Sequence, residues 1–516
     1  MKSTPFLALL LAGVPPAIRA GAAEQKPAPA GRPNIIFILA DDLSYRDLGC
    51  FGQKQFSTPN IDRLASQGRI FSNAYAGGPW CAPSRTALLT GMNAWHFAPL
   101  EKDAGGQATK FRPTAAEMLK TAGYATCALG KWHMDEDSES WLKQKTWEEQ
   151  KAATNWKGMP WHRGFDVCRI GYRCGFMGSN GNPYFPFQIE TGDNQETALP
   201  ENRNLDPACL WKYEDKRYDA QGRFLDNAGN DSSKMRYSED IYREEAMAFM
   251  QANKDKPFFL YYATPLVHGP LNVKDLGAFK DKPAPWTLRH KLWATMVGEL
   301  DRSVGLLMDE VKQLGLEKNT IIIFAADNGY SEWGYLGRKQ WTDDPLFHNK
   351  GPWNRGKFIT TNGGVIVPFI AWGPGRVLPG KTGRAVNLYD FMATAGELAG
   401  AKLPGPTDGV SFVPLLEGRD KDQPLRSSMA WPRSSTEFTK GIPDDYAPEK
   451  SKELFIPDAV LLDEQWYALA LGKTIRLFDI TADPGMQHDV SAAHPELCAR
   501  AVTELKKLNT ESNPRS

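Results

Sequence analysis

Cys81 stands where an apolar helix begins, with Pro83, Ser84 and Arg85 directly behind it. Unpaired backbone N–H groups and the positive end of the helix dipole favour an anion at such a place, so chemistry at this position should involve an anion. Taken alone, the segment fits equally a helix started by Pro83 with Cys81 as a small core residue. Asp41, Asp42, Asp327 and Asn328 offer only hard oxygen ligands, which suit Ca²⁺ or Mg²⁺ and argue against zinc or copper. Singly, Asp41-Asp42 and Asp327-Asn328-Gly329 also read as ordinary strand-end turns. Lys131, His133 and His268 add a cation and two groups able to move protons near neutral pH.

Elements of one kind must present these groups. Residues 34–40 form an apolar, β-branched run that stops at Asp41-Asp42, as a buried parallel strand ends at its carboxyl edge. Residues 124–129 predict a strand with Lys131 and His133 just past its end. Strands at 257–264 and 320–326 lead to His268 and to Asp327-Asn328. Amphipathic helices at about 238–253 and 290–314 precede the last two, the alternation of an α/β sheet. Ligands in such sheets sit beyond the carboxyl ends of the strands, so four strand tips are expected to share one rim. A helix after Thr58-Pro59 turns Ile61 and Leu64 inward and stops at Gly68; Thr114 and Glu117 have capping-box spacing for a helix ending near Gly123.

Residues 134–236 lack clear periodicity and carry Trp141, Trp147, Trp156 and Trp161. They read as an insertion draped over the sheet, its tryptophans either a satellite cluster or the lining of a sugar cleft. Residues 329–362 are an irregular stretch of the sort that walls a site. After Pro404-Gly405-Pro406 the character changes, with short strands in 456–480 and an amphipathic helix at 494–508. The organisation expected is a signal peptide at 1–22, a linker at 23–33, a catalytic α/β domain at 34–425 and a C-terminal α+β subdomain at 426–516.

The chain has 516 residues, with Lys plus Arg and Asp plus Glu equal at 61 each, so no overall field attracts nucleic acid or an acidic membrane. Lys2, the apolar run 6–14 and small residues at 20 and 22 read as a cleaved export signal, too short for a stable membrane anchor. Its loss removes Lys2 and Arg19, leaving 0 − 2 = −2. Export places the mature protein in the periplasm or outside the cell. Seven cysteines, at 50, 81, 127, 168, 174, 209 and 498, are an odd number for an exported chain and point to one with a special fate, with Cys81 the candidate. Cys168 and Cys174 are the closest-spaced option for a disulfide, though spacing does not establish connectivity.

The string Cys81-Ala82-Pro83-Ser84-Arg85-Thr86-Ala87-Leu88-Leu89-Thr90-Gly91 resembles the C-x-P-S-R-x-x-x-x-T-G signature of the sulfatase family. Residues 123–133 resemble its second signature, G-Y-x-T-x-x-x-G-K-W-H, and the likeness runs from Asn34 to Gly485. The resemblance implies an α/β fold with a large mixed, mostly parallel sheet flanked by helices, and a smaller C-terminal domain carrying a short antiparallel sheet. It implies one bound ion, calcium before magnesium, held by Asp41, Asp42, Asp327, Asn328 and the side chain at 81. Cys81 is expected to become formylglycine, made by a formylglycine-generating maturation enzyme. The aldehyde's hydrate attacks sulfur with one oxygen and expels sulfate by collapse through the other, which a thiol or a serine cannot do. By the same resemblance Arg85 holds the hydrated aldehyde and Asp327 takes a proton from the attacking oxygen. Lys131 and Lys357 grip sulfate, His268 protonates the leaving oxygen and His133 deprotonates the sulfated hydrate. Lys357 precedes Asn362-Gly363-Gly364 at the offset of the family's late lysine, but Asn replaces the usual Glu, leaving Lys350 and Arg355 as competitors. His96, just after the signature helix, is a candidate substrate contact. The expected activity is hydrolysis of a sulfated carbohydrate or aryl sulfate. The alternatives are phosphonate monoester or phosphodiester hydrolysis, or an inactive sulfated-glycan-binding protein.

Overall fold

The computed structural model describes residues 31–96, 112–134, 160–171, 216–219, 224–227, 237–269, 271, 273, 275–332, 343–433, 458–471 and 474–511. The signal-like segment 1–22, Cys174, Trp141, Trp147 and Trp156 lie outside these residues.

Strand β1 (Asn34–Ala40) is buried along its whole length, as expected of a parallel strand covered on both faces. In chain order there follow β2 (Arg69–Phe71), β3 (Ala74–Tyr75), β4 (Ala125–Lys131), β5 (Val167–Gly171), β6 (Lys216–Asp219) and β7 (Phe224–Asn227). Next come β8 (Phe258–Ala263), β9 (Thr320–Ala326), β10 (Phe369–Trp372), β11 (Gly380–Thr382) and β12 (Val386–Asn387). Among the described residues, ten strands form one mixed sheet in the order β11-β2-β10-β9-β1-β8-β4-β5-β6-β7. Its centre, from β9 to β5, is parallel throughout. Register does the positioning: β1 and β9 pair from Asn34↔Thr320 to Ala40↔Ala326, so both end at one level and Asp41 lies beside Asp327.

Two expectations need correction. Lys131 is the last residue of β4 rather than lying beyond it, because pairing with β5 continues to Lys131↔Gly171. The described parts of the 134–236 insertion do not drape over the sheet. Through β5, β6 and β7 they extend its edge, where unpaired backbone groups offer a ready template. Trp161 is buried in the main core. Cys168 is a free, buried thiol, so the considered pairing with Cys174 is not formed.

Helices cover the sheet with the predicted faces. Thr58 precedes Pro59–Gln67, which buries Ile61 and Leu64 and is followed by Gly68. Thr114 caps Ala115–Thr121 by accepting from the Glu117 amide while Glu117 bonds back. Ser238–Ala252 and Leu288–Gln313 pack on the sheet and on each other, the second burying Trp293, Met296, Leu300, Val304 and Val311.

The C-terminal sheet is antiparallel, in the order β13 (Ser428–Trp431), β14 (Asp458–Leu462), β15 (Trp466–Leu471), β16 (Thr474–Asp479). Alternation gives it two buried faces. Val460, Leu462, Ala468 and Leu477 pack against Ala501 and Leu505 of the helix Pro495–Glu511. Trp431, Ala459, Leu461 and Tyr467 pack on the other face against Tyr75 and Val365. Among the described residues, no helix is long and apolar enough to cross a membrane.

Candidate active site

The tips of β1, β4 and β9, the segment after β8 and the first turn of the helix Cys81–Thr90 meet at one buried point. Ligand atoms of Asp41, Asp42, Cys81 and Asp327 all lie within 4.8 Å of one another. Cys81 Sγ is 3.4 Å from Asp41 Oδ1 and 3.5 Å from Asn328 Oδ1. Asn328 Nδ2 donates to Asp42 Oδ1 at 2.9 Å, and Ser331 Oγ donates to Asp42 Oδ2 at 2.9 Å. Ser331 carried no signal in the sequence, since a lone serine in an irregular stretch has no spacing to mark it.

Cations answer the carboxylates. Arg85 donates from Nε and Nη2 to Asp327 Oδ2, at 3.0 and 2.8 Å, and from Nη1 to the Lys131 carbonyl at 2.7 Å. Lys131 Nζ lies 2.6 Å from Asp41 Oδ2. Lys357 Nζ contacts Asp42 Oδ1 and lies 3.3 Å from Cys81 Sγ. Lys350, its competitor, donates to the Trp353 carbonyl instead. Arg355 is buried in the same loop, with its backbone at φ 56.

Burial works against Asp42, but Lys357, His268 and Lys131 overcome it and hold the carboxyl well below the ordinary range. Asp327 goes the other way: burial and the neighbouring Asp41 raise it against Arg85. The Cys81 thiol is also pushed up, by burial and then by Asp327 and Asp41, outweighing the helix N-terminus that would favour a thiolate. His133, held in the left-handed region at φ 45, is driven well below its usual value by burial, Lys131 and Arg85. His268 falls to about 3 through burial and Lys131, with Asp42 opposing. Its Nδ1 donates to the Gly269 carbonyl, and Nε2 lies 3.7 Å from Asp42 Oδ2.

The structure thus brings together Asp41, Asp42, Cys81, Arg85, Lys131, His133, His268, Asp327, Asn328 and Lys357. His96 makes its contact elsewhere: Nε2 lies 3.1 Å from Asp408 Oδ2. The buried oxygens of Asp41, Asp42, Asp327 and Asn328 converge, and Asp327 is raised partly by like charge. That donor set fits a hard divalent cation.

A mixed α/β sheet whose central parallel strand tips gather carboxylates, cations and imidazoles around one side chain suits chemistry on an anionic group. A family model described as Sulfatase matches residues 33–401. Arylsulfatase A of Homo sapiens is 30% identical, over 96% of this chain and 90% of its own length. The N-acetylgalactosamine-6-O-sulfatase of Bacteroides thetaiotaomicron is also 30% identical, covering 92% of both chains. The crystal structure of Ps i-CgsB in complex with k-i-k-neocarrahexaose superposes with a TM-score of 0.69 at 28% identity, over 94% of each chain. The chain belongs to the sulfatase family, and its activity is the hydrolysis of sulfate esters.

Proposed function

We propose that this protein removes sulfate from a sulfated carbohydrate, using formylglycine made from Cys81 by a maturation enzyme and one calcium ion. The observation that carries the reading is the convergence of Cys81 Sγ with three carboxylates and the ammoniums of Lys131 and Lys357. Support for a sugar comes from the relative named for N-acetylgalactosamine 6-O-sulfate and the neighbour solved with a neocarrahexaose. The hydrated aldehyde supplies a nucleophile that can release sulfate by collapse. Calcium, held by Asp41, Asp42, Asp327, Asn328 and the side chain at 81, supplies Lewis acidity toward the sulfate oxygens.

The chain's own groups do the rest. Lys131 and Lys357 bind sulfate oxygens. Arg85 steadies the side chain at 81 and balances Asp327, which takes a proton from the attacking oxygen. His133, neutral at physiological pH, receives the proton released on collapse. His268 presents Nε2 to the leaving oxygen. Lys131 and Lys357 disfavour its protonated form, and an incoming sulfate that neutralises them raises its proton affinity at the moment an acid is needed. His96 is proposed to approach the sugar beyond this cluster. The catalytic unit is taken as 34–425 and the smaller one as 426–516, and the pattern of residues 1–22 supports export to the periplasm or beyond.

Mass spectrometry of the tryptic peptide containing position 81, paired with turnover of desalted sulfated mono- and oligosaccharides, tests the reading. Matured protein should show a loss of about 18 Da, the replacement of CH₂SH by CHO. Cys81→Ala should remain folded with no turnover. Full turnover by that variant, or by protein whose position 81 is entirely thiol, overturns it.

A further inference from the structure

Lys357 rides on a loop whose neck is held by a different domain. The neck closes through Asn354 N to Asn362 Oδ1 at 3.0 Å, Gly363 N to the Asn354 carbonyl at 3.1 Å and Thr361 Oγ1 to the same carbonyl at 2.7 Å. Both asparagine side chains then donate outward to adjacent carbonyls of one turn. Asn362 Nδ2 reaches Pro484 O at 2.7 Å, and Asn354 Nδ2 reaches Gly485 O at 3.1 Å. From β15, Tyr467 donates its hydroxyl to Thr360 O at 2.5 Å.

The turn is itself held by hydrogen bonds and packing. Asp483 Oδ2 accepts from the amides of Gln487 and His488 at 2.7 and 2.8 Å, and Met486 is buried against the same cluster as Tyr467. At the loop's far end, Lys357 N donates to Tyr330 O and Phe358 N to Pro79 O, each at 2.7 Å. Tyr330 links the two ends, its N–H donating to Gly363 O at 3.2 Å and its carbonyl accepting from Lys357 N, so hydrogen bonds and short stretches of chain connect the C-terminal turn to the residue whose ammonium contacts Cys81 and Asp42. Asn362 suits its place because one end of its amide accepts from N–H while the other donates to a carbonyl. A carboxylate in its place would have no donor for Pro484 O.

We propose that the Asp483–Gln487 turn and β15 set the affinity of the sulfate pocket, with Asn362 and Tyr467 as positioning residues acting through Lys357. The proposal rests on the reading that Lys357 grips sulfate.

The test uses full-length matured protein carrying Asn362→Asp, which keeps the shape but removes the donor, and Tyr467→Phe, which removes one hydroxyl. Circular dichroism confirms folding, and if the first variant fails to fold the second carries the test. KM for a sulfate ester and the inhibition constant for inorganic sulfate should both rise, by about 3- to 10-fold, the range of one lost hydrogen bond. The value of kcat should stay within about twofold, since binding shared by ground and transition states appears in KM. In a Lys357→Met background neither variant should add to the effect. Additive effects, or a fall in kcat at constant KM, overturn the proposal while leaving Lys357's own role intact. Unchanged KM and sulfate inhibition in Lys357→Met alone overturn both readings.

Discussion

Cys81 shows how the environment overrides a local preference. A thiol at a helix N-terminus is expected to ionise easily, yet burial, then Asp327 and Asp41, push this one up, which supports the proposal that a group other than the thiol acts at position 81. The histidines shift in a direction that makes a pH prediction. His133 and His268 titrate below the unfolded value of 6.5, so both remain neutral as pH falls through that value. The profile of kcat/KM against pH should accordingly lack a fall centred near 6.5. A midpoint there that disappears in His133→Gln argues against the assignment. The same shifts have a sign for stability: the folded state binds fewer protons than the unfolded chain just below pH 6.5. Their contribution is complete above that value and diminishes as pH drops. The charged residues and histidines that gather at the candidate site were legible because each follows an apolar run or sits in a long signature. Ser331 was not, since its role depends on Asp42, which lies 289 positions away.

At the scale of elements, the short helix Asn362–Val365 explains its own composition. A Cβ on Gly363 would stand 2.2 Å from the Asn354 carbonyl oxygen, and one on Gly364 would stand 1.9 Å from that of Ile359. Backbone fills both spaces, so any side chain must push the Lys357 loop away from the site. We expect Gly364→Ala to cost about 1–3 kcal/mol of stability. It should also lower kcat/KM more than Lys350→Ala, because Lys350 is bonded to the Trp353 carbonyl instead. Urea unfolding and steady-state kinetics on the two variants decide this, and equal kinetics would count against the loop's role. Most strands and helices could be read from apolar periodicity and caps. The strands β5 to β7 could not, because their pairing is set by the neighbouring strand rather than by a buried pattern of their own. The extension of β4 to Lys131 has the same origin.

At the scale of the whole molecule, the four-stranded C-terminal sheet packs beside the segment that leads into the Cys81 helix. Trp431, fully buried on the C-terminal sheet, stacks on Tyr467 and donates Nε1 to Ala76 O at 2.8 Å, five residues before Cys81. Glu464 takes two bonds from Arg384, at 3.0 Å each, and one from the Ala385 amide. Trp431→Ala should therefore destabilise the protein by about 3–5 kcal/mol and reduce sulfate ester turnover as well. Thermal unfolding followed by activity and by tryptophan fluorescence should give coincident transitions. Separate transitions would mean the sheets are independent. The sequence alone determined the order of βα units, the family, and the identity of nearly every group at the site, because hydrophobic period and contiguous signatures are local properties. Only the tertiary structure decided that Lys357, not Lys350, reaches Cys81. It alone showed that burial and two carboxylates push the Cys81 thiol up and that Asn362 answers the Pro484 carbonyl, beyond the last strand of the C-terminal sheet. Those outcomes depend on distances and desolvation between residues far apart in the chain, which no local pattern encodes.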